Sequence, residues 1–219
     1  MRLPKITKIE EAFELIDEIG ILPLMDDKIP GWSLYSVTPA DAWWQEGDGD
    51  PWDWRRTLSA SGKVAYGKLI GGKSTFVKKK LFPILANYRR NGYDFDSLYE
   101  EGFAKHTEKQ IMDVVGADPI ATYEIKRISG VSKGFDGALA GLQAKTYLVA
   151  TGSARRRNKQ GEEYGWHVSL FSTPENWFGE DFVRSRYCDD PKDCFEELAE
   201  IFTKTAEIDM DTAKKFIKY

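Results

Sequence analysis

From residue 107 to residue 171 the chain spells three short amphipathic helices followed by a β-hairpin, and residues 8–77 spell the same order more loosely. Thr107, standing before Glu108 and the run to Val115, predicts a capped helix ending at Gly116. Pro119 opens a second helix with Ala121, Ile125 and Ile128 on one face. Ser129–Ser132 is a tight break, and Phe135, Ala138, Leu139 and Leu142 set a third helix over 133–145. Tyr147–Thr151 and Trp166–Phe171 read as strands, joined by a polar, basic loop over 152–165. In the first half, Ile9, Phe13, Leu15, Ile16, Ile19 and Leu22 outline a helix over 8–20. Thr38-Pro39 and Asp50-Pro51 each pair an N-cap residue with proline at the first helical position. Lys63–Ile70 and Lys73–Val77 form a hairpin around Gly71-Gly72. The repeat is one of pattern only, because the two halves share almost no residues.

Helix, helix, helix, hairpin is the winged-helix order. The expected fold is therefore α+β and mostly helical, with tandem winged-helix units over 1–90 and 91–173. Each unit carries a β-hairpin wing, and residues 174–219 are expected to form helices that pack on the units. Helices are also expected over 81–90 and 95–104. In the tail from Pro191, Phe195, Leu198, Ile201 and Phe202 make one apolar face. A last helix, capped by Asp209 or Asp211, turns Ala213, Phe216 and Ile217 inward.

A net charge of −4 over 219 residues conceals a strong local asymmetry. Residues 63–90 hold eight cations and no acid, and residues 126–160 hold eight cations against Asp136 alone, so the remainder carries −19. A polyanion responds to local potential rather than to the total, so two basic blocks at equivalent places point to a nucleic-acid surface. Their cations are expected along the two β-ribbons, lining one concave face. The simpler alternative is a pair of solvated faces. No apolar run approaches the ~20 residues that span a bilayer. Met1–Lys8 has no apolar core of an export signal behind it, so a cytoplasmic location and no membrane partner are expected. Cys188 and Cys194 are the only cysteines and are expected as free thiols; with His106 and His167 they form no metal-ligand pattern. No phosphate-binding glycine loop, metal cluster or nucleophile elbow occurs, so no cofactor and no metal are expected.

Several strings resemble the AlkZ-related proteins: Ile21-Leu22-Pro23-Leu24, Pro51-Trp52-Asp53-Trp54-Arg55, Ala65-Tyr66-Gly67-Lys68, Ala86-Asn87-Tyr88-Arg89-Arg90-Asn91-Gly92-Tyr93-Asp94-Phe95-Asp96 and Leu142-Gln143-Ala144-Lys145-Thr146-Tyr147. That family is similar to the AlkZ and YcaQ DNA glycosylases. The resemblance implies tandem winged helices, double-stranded and damaged DNA as the partner, and a monofunctional glycosylase activity. The glycosylases carry a Gln-x-Gln or Gln-x-Asp pair. Here the one Leu-Gln-Ala string runs on to Lys145, so that pair is not carried over.

The candidate residues follow. Arg155, Arg156, Arg157 and Lys159 are the foremost phosphate contacts, with Lys73, Lys78, Lys79 and Lys80 as a second cluster. Tyr164 and Trp166 flank the wing and either stack on bases or pack across strands. On the third helix, Lys133 could read guanine and Gln143 adenine, although Gly134 and Gly137 thin its face. Asp94 and Asp96, after Arg89-Arg90, either activate water and stabilise a developing sugar cation, or belong to a buried ion-pair joint. With Gln143 they are the catalytic candidates. Trp43, Trp44, Trp52 and Trp54 stand among Asp41, Glu46, Asp48, Asp50 and Asp53 as a base pocket, a wedge, or an aromatic core. Three functions stay open: a glycosylase-like DNA-binding protein, a non-catalytic DNA-binding regulator, and a protein-interaction module with basic faces.

Overall fold

A computed structural model describes residues 3–26, 28–45 and 49–218. The first half runs α1 (Ile9–Ile19), β1 (Ile21–Pro23), α2 (Leu34–Val37), α3 (Pro51–Ala60), β2 (Val64–Ile70) and β3 (Lys73–Lys78). Two helices follow, α4 (Phe82–Arg90) and α5 (Phe95–Glu100). The second half runs α6 (His106–Met112), β4 (Ile120–Ala121), α7 (Thr122–Ser129), α8 (Phe135–Ala144), β5 (Val149–Arg157) and β6 (Glu163–Ser172). The chain closes with α9 (Pro174–Phe178), α10 (Glu180–Val183), α11 (Pro191–Ala206) and α12 (Met210–Ile217).

Local chemistry accounts for most of these boundaries. In α1, Ala12, Leu15, Ile16 and Ile19 are buried at helical spacing. Glu11 accepts from the Thr7 and Lys8 amides at 2.7 and 3.0 Å, and Gly20 at φ +81° turns the chain out. Asp50 caps α3 by accepting from the Trp52 amide at 2.8 Å, with Pro51 at the first helical position. Asp209, rather than Asp211, caps α12 by accepting from the Thr212 amide at 2.9 Å. Gly71 and Gly72 both have positive φ, +55° and +69°, the conformation that a twist-matched two-residue hairpin turn demands.

Each half also holds a strand that helical periodicity conceals. β1 follows the first helix and pairs with β3, and β4 follows α6 and pairs with β6. The six strands of the described residues form one antiparallel sheet in the order β1-β3-β2-β5-β6-β4. The halves join where Tyr66 of β2 pairs with Ala150 of β5. α3 packs across β2 and β5, α8 packs on β2, and one apolar core runs through both halves. α11 lies against α4 and α12, with Phe202 and Phe216 stacked at 4.6 Å between ring centroids. Cys188 is exposed and Cys194 buried, both as free thiols.

Three sequence expectations change. α6 is capped at Lys105, whose amide donates to Glu108 at 3.0 Å, so Thr107 lies inside the helix. Ile120 and Ala121 pair with Phe171 and Leu170 instead of opening α7, because a ladder partner outweighs local helical spacing in so short a segment. The expected loop over 152–165 is mostly ladder: β5 continues to Arg157 and β6 begins at Glu163, leaving a turn of 158–162.

Candidate nucleic-acid interface

The β5–β6 hairpin carries the densest group of exposed cations. Its turn is organised by Asn158, whose side-chain oxygen accepts from the Gln160 and Glu162 amides at 3.0 and 2.9 Å. Arg155, Arg156 and Arg157 therefore stand on a strand rather than a flexible loop, and Lys159 sits exposed in the turn. Arg155 Nε donates to His167 Nε2 at 3.2 Å, and Ser153 Oγ lies 3.3 Å from His167 Nδ1. The Arg156 guanidinium lies 5.2 Å from the Tyr123 ring centre on α7. Arg157 contacts Glu163 at 3.5 Å but keeps 70% of its side chain exposed, which leaves it open to a phosphate. Register shifts in the ladder between Ala154 and Arg156, and Trp166 opposite this irregularity is 93% exposed. Trp166 thus has little cross-strand packing to explain it, whereas Tyr164 is half-exposed.

α3 adds to this surface from the first half. Partial burial, then the positive charges of Arg56 and Arg155, hold His167 below the ordinary imidazole pKa, so it is neutral at pH 7. No local sequence signal marks Arg56 or His167 as part of this surface. The pairing of β2 with β5 across the halves brings them together, and no local motif announces it.

The first hairpin does not complete a single concave grip. β2 and β5 run antiparallel, so the Gly71-Gly72 turn with Lys73 points to the opposite end of the sheet from the 158–162 turn. Lys78 donates to the Asp17 carbonyl and pairs with its carboxylate at 3.0 Å, while Lys79 lies over the Phe178 and Phe182 rings at 5.2 and 5.1 Å. Lys73 and Lys80 are exposed. The expectation of one face built by both ribbons is corrected accordingly.

α8 offers little to a groove. Gln143 is 5% exposed, its oxygen accepts from the Lys68 amide on β2 at 3.0 Å, and its amide donates to the Leu139 carbonyl at 3.0 Å. Gln143 therefore joins the two halves and is spoken for, both as a base reader and as a catalytic amide. Lys133 is exposed just before the helix, and Asp136 and Gly137 are exposed on its first turn.

Asp94 and Asp96 line a separate open cleft of about 470 Å³, with Glu100, Asp113, Glu175, Tyr147 and Arg184 among its walls. Asp94 caps α5, accepting from the Ser97 amide at 2.8 Å. That hydrogen bond, helped by Arg184, holds its carboxyl below the usual range and so ionised. Asp96 is exposed and lies 3.4 Å from Lys109. Arg90, 1% exposed, pairs with a different carboxylate of the cleft wall: it binds Glu175, together with the Tyr187 hydroxyl. The buried ion-pair joint thus exists, with Glu175 rather than Asp94 as its acid. The cleft adjoins the root of the β5–β6 hairpin, roughly 20–26 Å along β5 from the arginines at strand rise.

The tryptophans divide. Trp43 and Trp54 are core residues, 2% and 3% exposed, while Trp44 is 61% exposed and Trp52 half-buried. Asp50 caps α3, Asp53 pairs with Arg56 at 2.6 Å, and Glu46 and Asp48 lie outside the described residues.

The model of the AlkZ-related family matches residues 6–218, almost the entire chain. The chain belongs to the AlkZ-related family. No curated protein and no solved structure matches it. Membership in the AlkZ-related family agrees with the strings at 21–24, 51–55, 65–68, 86–96 and 142–147, which the fold places at β1, α3, β2, the α4–α5 corner and the end of α8. None lies on the arginine-bearing hairpin; the string on β1 sits at the sheet edge, and those on β2 and at the end of α8 meet at the joint between the halves. Among the described residues of this AlkZ-related chain, no group of three or more His, Cys, Asp or Glu side chains is placed to hold a metal ion. None of their helices is long and apolar enough to cross a membrane.

Proposed function

We propose that the chain is a DNA-binding protein of tandem winged-helix design, with units over 1–90 and 91–173 and the 174–219 helices packed on them. In support, each half has the order helix, strand, helix, helix, strand, strand, with its first strand paired to its last. The observation that carries the DNA reading is the exposed Arg155-Arg156-Arg157 ladder on the β5–β6 hairpin. Double-stranded DNA, bound by its sugar-phosphate backbone, is the partner, and family membership favours damaged duplex. α8 contributes no base readout, so binding is largely indifferent to sequence. Duplex affinity should fall with rising salt, with a log–log slope of about −4.5 if Arg56, the three arginines and Lys159 each neutralise a phosphate. Fluorescence anisotropy across a salt series measures it. A slope near zero, or tighter binding to an acidic protein than to duplex, would favour the interaction-module reading.

A second reading, glycosylase chemistry, is favoured by Asp94: an ionised carboxylate beside Arg184 in an open cleft is suited to stabilising a cationic sugar or activating water. The neighbouring carboxylates oppose it, because they repel phosphates. On this reading the wild type releases free base from alkylated duplex and Asp94→Asn does not. Asn caps helices as well as Asp, so the variant should keep its fold. Release at the wild-type rate by Asp94→Asn removes that residue from the chemistry; no release by the wild type leaves a non-catalytic DNA-binding protein.

A further inference from the structure

A row of four aromatic rings, with only Trp43 fully buried, runs beside the arginine-bearing hairpin. Tyr35 and Trp43 lie 5.2 Å apart between ring centroids, Trp43 and Trp44 5.8 Å, and Trp44 and Trp52 4.7 Å. Trp43 anchors the row: it is buried and donates to Thr38 Oγ1 at 2.7 Å. At the far side, the Arg55 guanidinium sits 3.9 Å from the centre of the Trp52 ring. Arg55 Nε is buried with no hydrogen-bond partner among the described residues. The guanidinium plane thus makes a close cation–π contact with Trp52.

Trp44 departs from what solvation alone would select. It is 61% exposed and stands at φ +65°, a left-handed conformation that bulky side chains rarely adopt. A large apolar ring is held in water, in a disfavoured backbone conformation, with a second ring tilted 47° against it and a cation lying over that second ring. The row is also placed where a nucleic-acid strand would pass. Trp52 and Arg55 occupy the first two turns of α3, and Asp53 and Arg56 of the same turns act on His167, the partner of Arg155.

We propose that Trp44, Trp52 and Arg55 form a stacking platform for an unpaired nucleotide in DNA gripped by the β5–β6 hairpin. This rests on the hairpin reading and adds a substrate class: duplex interrupted by an extrahelical or single-stranded base. An aromatic face accepts any base, so the platform selects for unpairing rather than for sequence. Trp44 supplies the outer ring, Trp52 backs it, and Arg55 fixes Trp52 from behind.

The test uses the full chain and a duplex with 2-aminopurine as a one-nucleotide bulge, compared with the matched duplex. Wild type is expected to bind the bulged duplex about tenfold more tightly and to quench the 2-aminopurine fluorescence. Trp44→Ala is expected to lose both the preference and the quenching, keeping matched-duplex affinity within about twofold and an unchanged melting temperature. Retention of preference and quenching by Trp44→Ala, or equal wild-type affinity for the two duplexes, overturns the platform and leaves the hairpin reading standing. Failure of the wild type to bind either duplex overturns both.

Discussion

Replacing Arg90 with Met is expected to lower the unfolding free energy by about 3–5 kcal/mol, the usual cost of removing one member of a buried ion pair. The guanidinium is almost wholly buried and fully engaged. Nε donates to Thr146 Oγ1 at 3.0 Å, one terminal nitrogen donates to the Thr146 carbonyl, and the other donates to Glu175 and to Tyr187 Oη. Its plane lies 4.5 Å from the centre of the Tyr147 ring. One side chain on α4 thus ties down the α8–β5 connection, α9 and the segment after α10. Thr146 is also a non-glycine residue at φ +66°, and the bonds from Arg90 help hold that turn. Methionine fills much of the volume but leaves Glu175 without its cation and the Thr146 carbonyl without a donor. For a chain of this size the melting temperature should drop by about 10 °C. Glu175→Gln, which keeps an acceptor for Arg90 at a partly exposed site, should cost less. Urea denaturation of both variants and their double mutant checks this, and an Arg90→Met variant as stable as wild type would contradict it.

Replacing Arg155, Arg156 and Arg157 together with Ala is expected to weaken duplex binding on the order of 100-fold at 0.1 M salt. The salt slope should become shallower by about 3, one for each lost phosphate contact. Sequence should make little difference, because α8 presents Asp136 and Gly137 outward instead of a base-reading side chain. Stability should hardly change, since all three side chains are exposed and their contacts are surface ones. Lys73→Ala is the matched control: it removes a cation from the other hairpin, at the far end of the sheet, and should leave affinity nearly unaltered. Wild-type affinity and slope in the triple variant would move the DNA contact elsewhere.

Much of the architecture can be read from the residues, and the failures share a cause. Ile9 to Ile19 and Phe195 to Phe202 bury one face each, so the helical period shows plainly; Gly71-Gly72 announces its turn because only glycine is comfortable at both angles. β1 and β4, with three and two residues, are too short for a period of two to register and exist through their partners on β3 and β6. The outer part of β5 has no buried side, so its arginines print no alternation and resemble a loop. Candidate residues fare likewise. Gln143 looks like an outward helix residue until β2 of the other half covers it. Arg89 and Arg90 look alike in sequence, and Arg90 owes its buried place to an acid 85 residues away. Helix-local chemistry is legible; chemistry made by contacts between distant segments is not.

The seam at Tyr66 and Ala150 makes each half the other's edge protection. Severed between α4 and α6, the chain would yield two fragments whose β2 and β5 backbones are bared, inviting self-pairing and aggregation instead of two working modules. Truncation is therefore the wrong way to ask which half grips a ligand; point changes in the intact polypeptide are the right one.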